Sequence, residues 1–218
     1  MSGHGCNDYM IKDGTFVRNF EGMYQAFEDP WGQRGGFSED LMNTMALFLL
    51  KAIVAKEGRS VGNVLDIGCA DGYYVRSLLE LAGRGGTYTG TDISPTVVAR
   101  AAKNAQGLPA QFVADDIVKA NPSFAGKYDL IFSAKTLYYV APEIDQVLAN
   151  INSYIKKGGI FCFTYNQRKD SFTNQWLTYS KLREKVLRLN YKELYFVEIN
   201  RDGDEAFAIG IFRSEGSK

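Results

Sequence analysis

The sequence predicts a doubly wound α/β fold, with a mostly parallel seven-stranded sheet, helices on both faces and one antiparallel strand. Two observations support this prediction. From residue 61 onward, short apolar strands alternate with amphipathic helices, which is typical of a parallel sheet covered on both faces. The last two strands are joined by a short segment containing an Asp-Gly turn, which indicates a closing antiparallel hairpin.

Hydrophobic patterning places the individual elements of the sheet. It predicts strands over Val61 to Ile67, Thr87 to Thr91, Gln111 to Ala114, Tyr128 to Ser133, Gly159 to Tyr165, Tyr191 to Ile199 and Ala206 to Arg213. It predicts helices over Asp71 to Leu81, Pro95 to Gln106, Pro142 to Ile155 and Thr173 to Leu189. Because such sheets bind ligands beyond the carboxyl ends of their strands, we expect the functional residues at that edge.

Two further helices are predicted before the sheet. Apolar residues recur at helical spacing from Phe16 to Phe27, and Pro30 ends that helix because proline excludes helical conformation from the residue before it. Ser38 is placed to cap a second helix, whose apolar face lies within Leu41 to Ile53.

Composition narrows the class of partner. Lys plus Arg and Asp plus Glu each total 25, and a net charge of zero argues against a large nucleic-acid-binding surface. The apolar stretch from Leu41 to Ile53 is too short to span a bilayer. Cys6, Cys69 and Cys162 are widely spaced, which indicates free thiols and neither a disulfide framework nor a metal site. We therefore expect a cytoplasmic, metal-free monomer or homodimer that acts on a small molecule, with no nucleic-acid or membrane partner.

The segment from Val64 to Gly72 carries the strongest local signal. Gly68 follows an apolar strand and Gly72 lies where the next helix is predicted, so backbone can approach a ligand without an intervening Cβ. A dinucleotide-binding loop would have glycine in place of Ala70, and Asp71 would repel a pyrophosphate at the helix N-terminus. The acidic loop favours a cationic ligand, although a plain strand-to-helix turn remains an alternative.

Acidic residues also end the next two strands. Asp92 is placed to accept hydrogen bonds from both ribose hydroxyls of a nucleoside, or else to cap the helix that begins near Pro95. Asp115 and Asp116 follow the third strand, where a carboxylate can accept from an adenine amino group or cap a turn. Three acidic strand ends in succession are a stronger signal than any one of them.

These strand ends resemble the class I S-adenosylmethionine-dependent methyltransferase superfamily, over about residues 60 to 213. The resemblance implies a Rossmann-like fold, with S-adenosylmethionine as cofactor and S-adenosylhomocysteine as product. It implies that the methionine part, the ribose and the adenine are held in turn along the strand ends. The cofactor-binding residues it implies are Asp66, Gly68, Cys69, Gly72, Asp92, Ile93, Asp116, Ile117 and Ser133.

Two short segments carry a narrower resemblance. The stretches from Phe27 to Gly32 and from Ser133 to Val140 are similar to the nodulation protein S type of small-molecule N-methyltransferase. The chain departs from that type between Gln33 and Phe37, and it has Lys135 where such proteins often carry an acid. The acceptor is therefore not carried over from the resemblance.

The segment after the fourth strand should lie beside the reactive methyl group. Lys135, Tyr138 and Tyr139 are the candidate catalytic residues, since an ammonium group and aromatic faces can orient an acceptor or stabilise positive charge. Alternatively, the lysine is a solvated surface residue and one tyrosine packs in the core. No histidine lies in this region, so an oxygen acceptor would lack an obvious base.

The sequence thus predicts a methyltransferase acting on a nitrogen or oxygen of a small metabolite such as an amino sugar or other sugar-like compound. The alternative is a catalytically inactive protein that binds S-adenosylmethionine for a regulatory or partner role. We expect residues 1–58 to form an N-terminal helical lid and residues 59–218 to form the cofactor-binding domain. In the lid, Trp31 is the candidate to close the site, and Arg34 is the candidate to bind the cofactor carboxylate.

Overall fold

A computed structural model describes residues 8–12, 15–32, 41–58, 61–201 and 203–216 of the chain. Its N-terminal part contains a small antiparallel hairpin followed by two helices. These elements are β1 (Ile11–Lys12), β2 (Thr15–Phe16), α1 (Phe20–Ala26) and α2 (Leu41–Glu57).

The central sheet has seven strands, which confirms the predicted fold class. They are β3 (Asn63–Ile67), β4 (Thr87–Asp92), β5 (Ala110–Ala114), β6 (Tyr128–Ala134), β7 (Ile155–Arg168), β8 (Tyr191–Arg201) and β9 (Glu205–Ser214). Their order across the sheet is β5-β4-β3-β6-β7-β9-β8. The pairs from β5 through β7 are parallel, and β9 runs antiparallel to both of its neighbours.

Helices cover both faces of this sheet. They are α3 (Val75–Ala82), α4 (Pro95–Asn104), α5 (Ile144–Tyr154) and α6 (Tyr179–Arg188). Side chains alternate between the two faces along each strand. In β3, Val64 packs into the cluster that contains α2 and α3, while Leu65 and Ile67 pack into the cluster that contains α5 and α6. Burial on both faces explains why the strands have nearly continuous apolar sequences.

The order of the strands creates one switch point. The chain passes outward from β3 through β4 to β5, and then returns to place β6 on the other side of β3. The loops after β3 and β6 therefore leave the sheet in opposite directions, and a crevice opens between them at the carboxyl ends of the strands.

The N-terminal helix is shorter than the predicted stretch from Phe16 to Phe27. Thr15–Phe16 forms β2 instead, and α1 begins after Asn19, whose Oδ1 accepts a hydrogen bond from Gly22 N at 3.0 Å. A short polar side chain at this position satisfies a backbone donor that the helix itself leaves open. Ser38, the predicted cap of the following helix, lies outside the described residues.

Three helices begin later than their periodicity indicated. The helix predicted from Pro142 begins at Ile144, because Leu137–Glu143 forms a 3-10 helix first. The helix predicted from Asp71 begins at Val75, because the turns before it contain a left-handed glycine. The helix predicted from Thr173 begins at Tyr179, because the chain first forms a 3-10 turn and Thr178 then caps α6. Apolar periodicity continues through the capping residues, so it could not locate these boundaries.

Candidate functional site

A cleft of about 750 Å³ opens at the switch point, beyond the carboxyl ends of β3, β4, β5 and β6. The N-terminal segment, α2 and the β8–β9 hairpin also contribute side chains to its walls. Its volume is within the range of about 300–1,000 Å³ that is usual for small-molecule sites. The predicted site residues that line it are Trp31, Gly68, Asp92, Ile93, Asp116, Ile117, Lys135, Tyr138 and Tyr139.

Gly68 allows two loops to meet at the centre of the cleft. Its φ is 73°, and a Cβ at this position would lie 2.3 Å from Thr136 Oγ1 in the loop after β6. Any side chain at this position would force the loops after β3 and β6 apart. Gly72 also has a left-handed φ of 78°, but a Cβ there would contact Phe112 at 3.2 Å, and the residue does not line the cleft.

Asp92 ends β4 with its carboxylate fixed by backbone groups. Oδ2 accepts from Ala70 N at 3.2 Å, and Oδ1 accepts from Ser94 N at 3.1 Å. Ala70 has a φ of 46°, a left-handed conformation that costs a non-glycine residue about 1–3 kcal/mol and is common at functional sites. Burial raises the pKa of Asp92 to about 6. At neutral pH the carboxylate is therefore ionised and preoriented to accept hydroxyl groups.

The loop after β5 carries two carboxylates into the cleft. Asp116 Oδ1 accepts from Val118 N at 3.2 Å and from Arg18 Nη2 at 3.4 Å. Asp115 Oδ1 accepts from Asn121 Nδ2 at 2.9 Å, while its Oδ2 is buried and has no hydrogen-bond partner among the described residues. Burial raises the pKa of Asp115. Sequence reasoning missed Arg18, because no local pattern connects it to a residue 98 positions away.

Three predicted cofactor residues lie beneath the cleft surface. Asp66, Cys69 and Ser133 are buried, and none of them lines the cleft. Asp66 Oδ2 accepts from Tyr88 OH at 2.8 Å, and burial raises the pKa of Asp66 to about 7. The side chains of these residues support the loops from below, so their assignment to cofactor binding stays a prediction that depends on backbone contact.

The sequence argument from an acidic glycine loop is wrong for Asp71. Its two carboxylate oxygens accept from Arg100 Nε at 2.8 Å and from Arg100 Nη2 at 3.0 Å. This bidentate ion pair neutralises the acid locally, and Asp71 does not line the cleft. The negative charge that faces a ligand comes instead from the loops after β4 and β5.

Aromatic side chains of the N-terminal segment pack against the loop after β6. Trp31 Nε1 donates to Tyr24 OH at 2.8 Å. The Tyr139 ring centroid lies 5.6 Å from that of Trp31 and 5.3 Å from that of Phe20. The turn at Trp31 thus contacts the edge of the cleft predicted to hold the reacting groups. Arg34, the other lid candidate, lies outside the described residues.

Glu21 holds α1 against the start of α4. Its Oε2 accepts from Ser94 Oγ at 2.5 Å and from Thr96 N at 3.2 Å, and its Oε1 accepts from Thr96 Oγ1 at 2.5 Å. These hydrogen bonds lower the pKa of Glu21. A carboxylate at a helix N-terminus also interacts favourably with the helix dipole. The N-terminal segment is therefore docked on the same loop that carries the carboxylate at the end of β4.

A buried chain of hydrogen bonds supports the loop after β6. Lys135 has a left-handed φ of 52°, and its backbone N donates to Thr164 O at 3.0 Å and to Thr164 Oγ1 at 3.2 Å. Thr164 Oγ1 donates to Asn43 Oδ1 at 2.6 Å, and Asn43 Nδ2 donates to Tyr74 OH. The signal for Asn43 was present in the sequence as a polar residue within an otherwise apolar helix face.

The cleft wall near Lys135 is mostly apolar. Met42 comes from α2, and Ile199 and Phe207 come from the β8–β9 hairpin. Tyr138 packs edge-on against its neighbour in the loop after β6, with ring centroids 4.4 Å apart. An acceptor at this end of the cleft would meet aromatic and aliphatic surface beside one lysine.

The donor and acceptor groups of the cleft fit S-adenosylmethionine. The Asp92 carboxylate suits a ribose diol, and the carboxylates of Asp115 and Asp116 suit an amino group on a base. One buried oxygen of Asp115 has no protein partner among the described residues, which leaves an acceptor for a ligand donor. The aromatic rings of the N-terminal segment and of the loop after β6 suit a sulfonium cation.

The described ranges contain neither a candidate membrane-spanning helix nor a candidate metal site. No helix there combines the length and apolar character needed to cross a membrane. In the same part of the chain, no group of three or more His, Cys, Asp and Glu side chains is arranged to hold a metal ion.

Fold and cleft together define a doubly wound α/β protein with a cleft at its switch point whose polar groups fit a nucleoside. The chain belongs to a methyltransferase domain family, whose model matches residues 59–203. This confirms the class I methyltransferase superfamily that the strand ends implied. S-adenosylmethionine is the cofactor of that superfamily.

Known proteins support this assignment at different levels. The chain is 30% identical over 129 residues to the ubiquinone biosynthesis O-methyltransferase of Escherichia coli O127:H6. The aligned residues cover 58% of this chain and 50% of that protein. The chain thus spans about half the length of the curated relatives it matches.

Two solved structures share the fold. The N-methyltransferase NodS from Bradyrhizobium japonicum WM9, in complex with S-adenosylhomocysteine, has a TM-score of 0.68 at 22% identity and covers 87% of this chain and 93% of that one. The [4+2]-cyclase SpnF has a TM-score of 0.61 at 18% identity and covers 78% of this chain and 82% of that one. Their printed activities differ, so the fold alone does not specify a reaction.

Proposed function

We propose that this protein transfers a methyl group from S-adenosylmethionine to a nitrogen or oxygen of a small-molecule acceptor. One observation carries the proposal. A single cleft joins the carboxylates after β4 and β5, which suit the nucleoside, to the Lys135–Tyr139 segment across the switch point. The match to a methyltransferase domain supports it independently.

The reaction needs little more than positioning. When bound, S-adenosylmethionine supplies a methyl carbon, to which the acceptor lone pair bonds while the carbon–sulfur electron pair passes to sulfur and the acceptor proton is released. The protein's contribution is to hold the acceptor in line with that carbon and to exclude competing water. The buried support of Lys135 by Thr164 and Asn43 fixes the loop that performs this positioning.

The lining favours nitrogen over oxygen as the acceptor atom. Among the described residues that line the cleft, none is a histidine or glutamate, and the three aspartates lie at the end of β4 and in the loop after β5. Burial raises the pKa of Tyr139 far above its ordinary value, so this phenol stays protonated and is a poor base. A neutral amine reacts without such a base, whereas most hydroxyl groups require one.

The same lining narrows the acceptor class. One wall of the cleft is mostly apolar and can contact the apolar part of an acceptor; it is made by Met42, Tyr138, Ile199 and Phe207. Lys135 supplies a cation beside this wall. We therefore propose a ring-bearing small amine, of which an amino sugar is one candidate. The curated relative named above is an O-methyltransferase and the structural neighbour is an N-methyltransferase, so the acceptor atom needs a direct test.

Matched acceptors provide that test. Purified protein is incubated with methyl-labelled S-adenosylmethionine and with pairs of ring compounds that differ only in an amino or a hydroxyl group. We expect label in the amine of at least one pair, and slower transfer by the Asp92→Asn variant when the cofactor is below saturation. Transfer to hydroxyl groups alone would reject the nitrogen proposal. Tight cofactor binding without transfer to any acceptor would favour the alternative of an inactive cofactor-binding regulatory or partner protein.

A further inference from the structure

Asn43 is a buried polar residue on the otherwise apolar inner face of α2. It is 1% exposed, and its buried neighbours on the helix include Met42, Ala46 and Leu47. Burial of a carboxamide costs free energy unless its groups are hydrogen-bonded. Apolar side chains can fill such a place without that requirement, so the amide indicates a need beyond packing.

The hydrogen bonds around Asn43 form a chain with a fixed direction. Lys135 N can only donate, so Thr164 Oγ1 accepts from it at 3.2 Å and gives its own proton to Asn43 Oδ1 at 2.6 Å. Asn43 Nδ2 then donates to Tyr74 OH, which lies just after the glycine turn. Because the backbone N–H sets the direction, each later side chain has one role, and the chain favours a single arrangement of the two loops that it joins.

Lys135 lies at the end of this chain in a conformation that needs support. Its φ is 52°, and a residue with a Cβ keeps a left-handed conformation only where its surroundings enforce it. Its backbone N donates to both oxygens of Thr164, at 3.0 Å and 3.2 Å. Lys135 directly follows β6, so its φ sets the direction in which the segment up to Tyr139 enters the wall of the cleft.

We propose that Asn43 is a positioning residue for the acceptor, which acts through Thr164 to hold Lys135 in its left-handed conformation. The inference deepens the proposed function and rests on it. α2 ends at Glu57, before the residues 59–203 that match the methyltransferase domain family. The inference therefore gives an element outside the matched domain a part in orienting the acceptor, and it leaves cofactor binding to the loops after β3, β4 and β5.

A purely structural role for Asn43 would give a different result. If its hydrogen bonds only stabilise the fold, a variant lowers the folded fraction, so kcat and the number of binding sites for S-adenosylhomocysteine fall together and the acceptor KM is unchanged. If the chain positions the acceptor, the acceptor kcat/KM falls even for each folded molecule, while cofactor affinity is retained. Losses within one chain should also be non-additive, because breaking either hydrogen bond releases the same loop.

Variants of similar shape break the chain at separate points. Thr164→Val removes the hydroxyl, Asn43→Leu removes the amide, and the double variant removes both. Thr164→Ser retains the hydroxyl and should recover most of the activity that Thr164→Val loses. Thr89→Val is the matched control, because Thr89 is 2% exposed on β4, its Oγ1 accepts from Gln111 Nε2 at 2.8 Å, and it does not line the cleft.

The experiment measures the dissociation constant and stoichiometry of S-adenosylhomocysteine by calorimetry. It then measures transfer from methyl-labelled S-adenosylmethionine to the ring amine that the wild type labels fastest, with rates expressed per cofactor-binding site. We expect Thr164→Val and Asn43→Leu each to lower the acceptor kcat/KM at least about tenfold, since a small displacement of the orienting loop is enough for such a loss. Cofactor affinity should stay within about threefold of the wild type, and Thr89→Val should stay within about threefold in both measurements.

The double variant should lose no more than about threefold beyond the weaker single variant. Acceptor kinetics of Thr164→Val that match the wild type, losses that multiply in the double variant, or an equal loss of cofactor affinity would each overturn the role of Asn43 alone. If Asn43→Leu does not fold, the contrast between Thr164→Val and Thr164→Ser decides the question. A wild type that binds S-adenosylhomocysteine and labels no ring amine would overturn both the proposed function and this inference.

Discussion

Replacing Asp66 by asparagine should make the protein more stable at alkaline pH. Asp66 is 1% exposed at the carboxyl-terminal half of β3, and Tyr88 OH donates to its Oδ2 at 2.8 Å. Its Oδ1 has no partner within the described part of the chain. Burial therefore raises the pKa of Asp66 from 3.8 to about 7, because the ionised form loses more hydration than one phenol restores.

The sign and size of the effect follow from this pKa. Between about pH 4 and pH 7 the folded chain retains a proton that the unfolded chain releases, so the free energy of unfolding falls as the pH rises. Each tenfold change in an ionisation constant is worth about 1.4 kcal/mol, so full ionisation at pH 8 costs about 4 kcal/mol. Asp66→Asn removes this cost while retaining an oxygen that can accept from Tyr88.

Urea denaturation of the unliganded protein at several pH values tests the reasoning. The variant should gain about 2–4 kcal/mol over the wild type at pH 8, and the difference should disappear near pH 4. Tyr88→Phe is the opposing control, because loss of the phenol donor raises the pKa of Asp66 further and steepens the fall in stability. Parallel stability curves for Asp66→Asn and the wild type from pH 4 to pH 8 would refute the argument.

Four further outcomes are expected. Asp92→Asn should weaken S-adenosylhomocysteine binding at least about tenfold in calorimetry, since it removes charge-assisted hydrogen bonds to the ribose, and a lower melting temperature with unchanged affinity would make Asp92 a structural cap. Cofactor binding should change the fluorescence of Trp31 when Trp176→Phe isolates its signal, and an identical spectrum with and without cofactor would count against a lid. Glu21→Gln should reduce the loss of stability in acid. Hydrogen bonds lower the pKa of Glu21, so its carboxylate stabilises the fold at pH values above the ordinary pKa of 4.5, and this contribution is lost as the pH falls through the lowered pKa. Urea midpoints from pH 5 to pH 3 that change in parallel with those of the wild type would contradict this prediction. Tyr139→Phe should alter acceptor turnover or KM while leaving cofactor affinity within about threefold, and wild-type kinetics would remove its hydroxyl from the acceptor site.

Much of the candidate site was visible at the strand ends. Gly68, Asp92 and Asp116 line the cleft as the sequence predicted, because a parallel sheet brings the ends of its strands to one edge. Asp71 was misjudged for a related reason. Its position in the loop was clear from the sequence, but its neutralisation by Arg100 depends on how α4 packs beside that loop.

The sequence by itself determined the order of strands and helices from β3 onward, the seven-stranded sheet with its antiparallel strand, and the glycine and acidic residues at the carboxyl edge. These features follow from local periodicity and from residue types that have few conformational alternatives. Only the tertiary structure decided which distant groups meet. Arg18 binds Asp116 across 98 positions, Glu21 binds Ser94 across 73, and Thr164 binds Asn43 across 121. Such pairs form because packing brings polar side chains of distant segments within hydrogen-bonding distance, and no local pattern in the chain encodes that proximity.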